Sequence, residues 1–320
     1  MNSQRIIRML TLTAAVALVA ACSAPTGDLG PVATPPPTAA PSVEPASPEP
    51  TSGAVTPSPD PAGTPEPSAT AAVETATVRA YFFLLSSTHD AGLAPVLREI
   101  PKTQAVATAA MNALLAGPNE SELAAEPGMS TTIPSGTRLL GLSVGDGIAT
   151  VNLSREFESG GGSASVFGRL AQVVYTLTQF PTVQSVLFQL DGVPATVFSG
   201  EGVILDHPVG RADYTDQLSA IWVDRPAWGA ALGNPGRISG LSNVFEATFQ
   251  VALLDGAGTT LVDETVMATC GTGCWGTFDV TVRYTVGSAQ WGTLRVYEPS
   301  ARDGSPVNVT DYPVWLTVAA

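Results

Sequence analysis

Residues 138–153 read RLLGLSVGDGIATVNL, and two apolar stretches in this segment flank the tripeptide Gly145-Asp146-Gly147. Asp-Gly between two stretches of strand-forming residues is a strong hairpin signal, because a tight hairpin turn needs residues that tolerate positive φ angles. The segment therefore predicts two antiparallel strands, 138–144 and 148–153, joined at this turn.

A strand pattern and a helix pattern precede the hairpin. Residues 77–85, TVRAYFFLL, are rich in β-branched and aromatic residues and predict a strand. Residues 103–116 carry apolar or small residues at helical spacing and predict a helix, which Gly117-Pro118 ends. Upstream of the hairpin the predicted order is therefore a strand and then a helix.

A second helix and a further strand follow the hairpin. The helix begins after the glycine run 160–162, with Ser163 as its candidate cap. Its apolar stripe consists of Val166, Leu170, Val173, Val174 and Leu177. Residues 183–190 alternate apolar and polar side chains and predict the closing strand. The complete order, β-α-β-β-α-β, predicts an α+β unit of the ferredoxin-like kind, with both helices on one face of a mainly antiparallel sheet.

The second half of the chain changes to a period of two residues. Apolar residues alternate with other residues over 245–253 and 278–286, and shorter alternations follow at 294–296 and 314–318. Turns that contain glycine or proline separate these stretches. Short strands at this spacing, without helical stretches between them, predict an all-β sandwich of two sheets.

The N-terminus is predicted to be an export signal. Arg5 and Arg8 precede a short apolar run, residues 9–21, which is too short for a typical membrane span. The run ends in Val-Ala-Ala-Cys, which resembles the bacterial lipobox, in which the cysteine is acylated. We therefore predict a lipoprotein signal peptide over residues 1–21 and a lipid anchor at Cys22, on the outer face of the cytoplasmic membrane. The alternative is an ordinary signal peptide with an incidental cysteine.

Residues 22–76 are predicted to be a disordered linker. This stretch holds 14 of the 27 prolines of the chain and no aromatic residue, lysine or arginine. A segment rich in Pro, Thr, Ser and Ala cannot bury enough apolar surface to offset the loss of chain entropy on folding. We therefore predict that the linker acts as a spacer between the anchor and the folded part.

Composition argues against several classes of function. The net charge is −14, with 14 Lys and Arg against 28 Asp and Glu, so a nucleic-acid partner is not expected. Two histidines, His89 and His207, and three cysteines leave little material for a metal site. Both histidines adjoin an aspartate in predicted turns, and the chain has no Gly-x-Ser-x-Gly motif. We predict no catalytic residue, no metal and no cofactor, and hence no enzyme.

The chain resembles two known families. The pieces VRAYFF, LAPVLREI, ALLAGPNE, STTIPSGTRLLGLSVGDGIATVNLSREF and HPVGRADY, all within residues 77–216, are similar to the GerMN domain of sporulation and spore-germination lipoproteins. The later pieces NPGRISGLSNVF, GTFDVTVRY and GTLRVYEPSARDG resemble the immunoglobulin-like domain that accompanies GerMN. The resemblance implies an extracytoplasmic α+β module, similar to the ring-building modules of secretion and sporulation channels, that acts by protein contact. The predicted domains are 77–217 and 218–320.

Cys270 and Cys274 enclose the tripeptide Gly-Thr-Gly. An exported chain lies in a compartment that permits disulfides, so we predict a bridge across this tight loop. Because the closed loop is very short, the bridge should stabilise the fold at the low end of the usual range of about 0–5 kcal/mol. The alternatives are a redox pair or half of a metal site, for which no partner ligands lie nearby in the sequence.

All tryptophans fall in the second half of the chain, at Trp222, Trp228, Trp275, Trp291 and Trp315. Trp275 follows the cysteine loop, and Trp315 stands in the outward phase between Val314 and Leu316. Exposed tryptophans suit contact with a glycan or a protein, which makes Trp275 and Trp315 candidate contact residues. Packing between domains is the alternative.

Together these features predict a non-enzymatic, lipid-anchored interaction or scaffold protein of the cell envelope, which the resemblance links to sporulation or spore germination. The expected partners are the membrane, through the anchor at Cys22, and other envelope proteins, with peptidoglycan or another glycan as a further candidate. The alternative function is an extracytoplasmic lipoprotein that binds a glycan or another ligand.

Overall fold

The computed structural model describes residues 74–85 and 92–319. The predicted signal peptide, Cys22, almost all of the predicted linker and His89 therefore lie outside the described residues. Within the described ranges, no helix has the length and apolar character needed to cross a membrane.

The first lobe, residues 74–217, contains both strands and helices. In chain order these are β1 Thr75–Leu85, β2 Leu93–Pro101, α1 Val106–Leu115, α2 Glu120–Ala124, β3 Gly128–Ser130, β4 Leu139–Gly145, β5 Ile148–Leu153, α3 Ser163–Leu177, β6 Ser185–Leu190, β7 Val193–Pro194, β8 Val197–Phe198 and β9 Val203–Ile204. Two short 3-10 turns, Arg155–Glu158 and Arg211–Gln217, complete the lobe.

The predicted hairpin is confirmed. Strands β4 and β5 pair antiparallel, and Asp146 and Gly147 turn the chain with φ angles of 52° and 80°. Two consecutive positive φ angles are the signature of the type I′ turn, whose twist matches that of the flanking strands. Helix α3 then crosses over, so that β6 lies parallel to β5. The predicted apolar stripe of α3, from Val166 to Leu177, is fully buried.

The α+β class is confirmed, but the element order differs from β-α-β-β-α-β by the additional elements β2, α2 and β3 before the hairpin and by the short strands β7, β8 and β9 after β6. The strands also form separate sheets, with orders β2-β1-β3 and β4-β5-β6-β7, and a small β8-β9 pair. Helices α1 and α3 pack on each other and on β1. Residues Leu93 to Val96 of β2 are all buried, so this strand shows no alternation of apolar and polar residues. The alternation is missing from β2 because the second lobe covers this strand.

The predicted cap of α3 is wrong. Gly162 occupies the N-cap position, where no side-chain hydrogen bond is made. Ser163 is the first helical residue, and its hydroxyl donates to the Glu201 carboxylate instead. The hydroxyl thus ties the start of the helix to the segment beside β9.

The second lobe, residues 218–319, is a β-sandwich. Its strands are β10 Ile221–Arg225, β11 Ala231–Leu232, β12 Gly236–Ser242, β13 Thr248–Leu254, β14 Thr260–Met267, β15 Gly276–Val282, β16 Gln290–Pro299 and β17 Pro306–Leu316. They form one sheet of order β10-β12-β15 and a second of order β11-β17-β16-β13-β14. Phe249 and Phe278 meet edge to face across the two sheets, with ring centroids 4.9 Å apart. The predicted two-sheet architecture is confirmed.

Two strand limits of the sandwich were predicted incorrectly. Residues 245–247 form a 3-10 turn before β13, in which Glu246 and Ala247 have positive φ angles, and Phe245 is exposed. Residues 283–286 continue the predicted alternation but lie beyond β15, although Tyr284 is buried. The Tyr284 hydroxyl donates to the carbonyl of Leu232, which explains its burial outside a strand.

Candidate functional site

Trp222 joins the two lobes. It lies on β10 of the sandwich, is 2% exposed, and donates from Nε1 to the carbonyl of Leu93 in the first lobe at 2.6 Å. Its ring centroid lies 6.4 Å from that of Tyr81 and 5.5 Å from that of Tyr175, both in the first lobe. Aromatic rings in these geometries attract each other beyond the effect of area burial. Packing between lobes, the alternative given for the tryptophans, is therefore the role of Trp222.

Asp224 adds a polar contact beside this aromatic cluster. Its carboxylate accepts a hydrogen bond from the Tyr81 hydroxyl at 3.0 Å and pairs with the Arg79 guanidinium at 3.1 Å. Burial raises the pKa of the Tyr81 hydroxyl to about 12, an effect that the positive charge of Arg211 partly offsets. Tyr81 is therefore protonated at neutral pH, and its hydroxyl donates a hydrogen bond to the Asp224 carboxylate.

The contacts of Trp222 and Asp224 with the first lobe form a region that we call the junction. Arg211, near the end of the first lobe, also belongs to it. Its guanidinium lies 4.7 Å from the ring centroid of Tyr175, and its Nη2 donates to the Tyr81 hydroxyl at 3.2 Å. A further backbone contact joins the lobes where the Trp228 amide donates to the Pro95 carbonyl. Buried residues of both lobes belong to one continuous hydrophobic core, and the described residues of both lobes lie in one compact unit. The two lobes are thus held in one fixed arrangement.

Cys270 and Cys274 lie in the loop between β14 and β15, where their sulfur atoms are joined. Their Cα atoms are 5.9 Å apart, which is within the usual range for disulfides. The loop packs closely on the 3-10 turn before β13, because a Cβ atom on Gly271 would overlap the backbone of Ala247. A bridge at this position would fix the loop against this turn.

We expect the protein to carry this bridge when it is produced in an oxidising compartment. Its intact mass should increase by two hydrogen atoms on reduction, and thiol reagents should label Cys270 and Cys274 only after reduction. Because the closed loop is short, reduction should lower the free energy of unfolding by no more than about 1–2 kcal/mol. Two free thiols in the purified, unreduced protein would contradict the prediction.

The tryptophans predicted to face outward differ in exposure. Trp275 is half-buried and packs against the core, whereas Trp315 is 36% exposed. Trp291 is the most exposed, at 54%, and lies directly opposite Trp315 on the neighbouring strand. The sequence contained the signal for Trp291, since it stands in the opposite phase to the buried Leu294 and Val296.

The structure describes one of the two histidines, His207. His207 lies in an exposed bend, with its Nδ1 atom 2.7 Å from the carboxylate of the adjacent Asp206. His89 lies outside the described residues. Among residues 74–85 and 92–319, no cluster of three or more His, Cys, Asp or Glu side chains is arranged to hold a metal ion.

The fold defines a protein in which an α+β lobe is rigidly joined to an immunoglobulin-like sandwich. Residues 79–196 match the Germane family model, described as "Sporulation and spore germination". Residues 220–305 match the Gmad2 model, described as "Immunoglobulin-like domain of bacterial spore germination". The chain therefore carries a GerMN domain followed by a spore-germination immunoglobulin-like domain, and the predicted resemblance is confirmed.

Solved structures of GerM are similar to part of this chain. The tandem GerMN domains of the sporulation protein GerM from Bacillus subtilis match with 23% identity and a TM-score of 0.37, over 46% of this chain and 49% of that one. The first GerMN domain of the same protein matches with 18% identity and a TM-score of 0.35, over 43% of this chain and 99% of that one. This chain thus spans about half of the tandem structure. No curated protein matches it significantly.

Proposed function

We propose that this chain is a non-enzymatic scaffold protein of the cell envelope that contacts other envelope proteins during sporulation or spore germination. In this proposal Cys22 carries a lipid anchor on the outer face of the cytoplasmic membrane, and residues 23–73 separate the anchor from the folded lobes, since β1 already begins at Thr75. A proline-rich segment of this length extends by about 3.1 Å per residue, so it reaches well beyond the lipid headgroups.

The observation that carries the proposal is the buried junction around Trp222. Relative motion of domains within a chain is the usual expectation unless their interface is large and apolar. Here aromatic packing, the contacts of Asp224 and a shared core hold a GerMN domain and an immunoglobulin-like domain together. A rigid body with two outward surfaces at a fixed separation is suited to holding partners in a defined arrangement.

Cross-linking in cells tests the scaffold. We expect affinity-tagged full-length protein to capture the same envelope proteins after mild cross-linking in repeated preparations, and to lose them when Cys22 is replaced by alanine. The purified full chain should show no turnover on wall glycans or on ester substrates. A reproducible turnover that His89→Ala or His207→Ala abolishes would contradict the non-enzymatic part of the proposal.

The lipid anchor has its own test. Cys22→Ala should move the protein from the detergent phase to the aqueous phase of a detergent partition, because the substitution removes the residue that would carry the acyl chains. The matched control is the Cys270→Ser/Cys274→Ser double variant, which also removes cysteine but should stay in the detergent phase. A Cys22→Ala protein that partitions like the wild type would contradict the anchor.

A further inference from the structure

The outer face of the five-stranded sheet carries an aromatic and polar surface. Along β16, Gly292, Leu294 and Val296 are buried, so Trp291, Thr293 and Arg295 face outward. These three outward residues lie opposite Trp315, Pro313 and Asp311 of β17. We call these six outward residues the platform. From Trp291 to Arg295 it extends about 13 Å at the usual rise per strand residue.

Two grooves border Trp291. One has a volume of about 570 Å³ and is lined by the turn 255–258, Trp291, Arg295 and Pro313. The other, of about 230 Å³, is lined by Trp291 and Trp228 of the sandwich and by Leu97 and Asn119 of the first lobe. The junction at Trp222 fixes the second groove, because its two walls come from different lobes.

The arginines beside these grooves are already paired. Arg295 donates two hydrogen bonds to Asp311, at 2.8 and 2.7 Å, within the platform. In the second groove, Arg98 donates two hydrogen bonds of 2.6 Å to Glu122. Bidentate pairs of this kind present polar edges in fixed positions without a net charge. The surface therefore does not attract a polyanion such as nucleic acid.

The polar surroundings of Trp291 also argue against a protein as the ligand. Trp and Arg are both common at protein interfaces, but the hot spots of such interfaces lie in well-packed, fully desolvated pockets. On the platform, by contrast, the exposed ring of Trp291 adjoins Trp315 and is followed along the strand by Thr293 and the Arg295–Asp311 pair. A sugar ring has a flat C–H face and a rim of hydroxyl groups, which match an indole ring beside fixed polar groups.

We propose that the platform binds an extended, uncharged β-linked glycan, with one sugar ring stacked on Trp291 and the chain continuing into the two grooves. A β-1,4-linked chain is an extended ribbon that matches the line of outward residues from Trp291 to Arg295, whereas an α-1,4-linked chain curves away from that line. The proposal goes beyond the scaffold function, because it adds a carbohydrate ligand. The outcome of the cross-linking experiment does not depend on this surface.

Calorimetric titration of the full chain with soluble oligosaccharides tests the proposal. Chitohexaose should bind and change the tryptophan fluorescence, and maltohexaose, which is α-linked, should not. Trp291→Ala should weaken chitohexaose binding by at least about tenfold, which corresponds to about 1.4 kcal/mol, because truncation of an aromatic hot-spot residue removes a large part of the binding energy. Trp291→Tyr keeps a ring at the position and should retain most of the binding.

Phe167→Ala is the matched control, because Phe167 is an exposed aromatic residue on α3, in the other lobe. It should bind chitohexaose like the wild type, and unchanged melting temperatures would show that every variant is folded. Peptidoglycan sacculi stripped of protein and teichoic acid should retain the wild type and release Trp291→Ala. The proposal is overturned if the wild type binds neither chitohexaose nor sacculi, if maltohexaose binds equally, or if Trp291→Ala binds unchanged. Loss of a cross-linked protein partner from Trp291→Ala, with unchanged glycan binding, would instead assign the platform to protein contact.

Discussion

Replacement of Trp222 by alanine should lower the free energy of unfolding by about 3–5 kcal/mol, the usual cost of truncating a buried tryptophan. The substitution removes the stacking on Tyr81 and the edge-to-face contact with Tyr175, and it leaves the carbonyl of Leu93 without the indole donor. Because Trp222 belongs to one lobe and these partners to the other, the lost contacts are those that hold the two lobes together at the junction. We expect the wild type to unfold in a single transition and the variant to unfold in two.

Chemical denaturation measures this effect, with fluorescence and far-ultraviolet circular dichroism recorded on the same samples. Trp315→Ala is the control, since Trp315 is 36% exposed and its truncation should cost less than about 1 kcal/mol. Limited proteolysis adds a second readout. Ile221, Trp222 and Val223 are buried, so protease should spare this segment in the wild type and cut it in Trp222→Ala. A loss below about 1 kcal/mol in Trp222→Ala would contradict the role of the junction.

Elements with a clear local period could be predicted from the sequence. The hairpin β4–β5 has two apolar stretches around Asp146-Gly147, and α3 has apolar residues at helical spacing, so each pattern indicates one kind of element. Strand β2 could not be predicted in this way. It is paired with β1 and also contacts β10 of the other lobe, and burial by both neighbours removes the alternation that marks a strand.

The junction could not be predicted because its contacts are distant along the chain. The indole of Trp222 and the carbonyl of Leu93 are separated by 129 residues, and Tyr81 and Asp224 by 143. Local periodicity carries no information about such pairs. The boundary at 217/218 stays a prediction, and the structure adds that the chain segment following it is buried in the junction.

The exposure of Trp291 could have been predicted from the sequence. The two-residue alternation that assigned Trp315 to the outer face also applies to Trp291, which precedes the buried Gly292 and stands in phase with Thr293. Its position across from Trp315 depends on the register of β16 and β17, which a single sequence does not specify.

Replacement of Gly240 by alanine should lower the free energy of unfolding by about 3 kcal/mol, at the upper end of the usual cost of overpacking. Gly240 lies in the middle strand of the smaller sheet, between Val223 and Phe278. A Cβ atom there would overlap the backbone carbonyl oxygen of Trp222 and lie 2.9 Å from Cζ of Phe278. A backbone atom cannot rotate out of the way as a side chain can, so β10 has to shift.

The control for Gly240→Ala is Gly141→Ala, another glycine within a strand. A Cβ atom at Gly141 would meet only Cβ of Asn152, at 3.9 Å, so this variant should change stability by less than about 0.5 kcal/mol. Because β10 also carries Trp222, the shift caused by Gly240→Ala should weaken the junction. The Gly240→Ala/Trp222→Ala double variant should therefore lose less stability than the two single losses added together. Strict additivity in denaturant unfolding would show that the effect of Gly240→Ala stays within the sandwich and does not reach the first lobe.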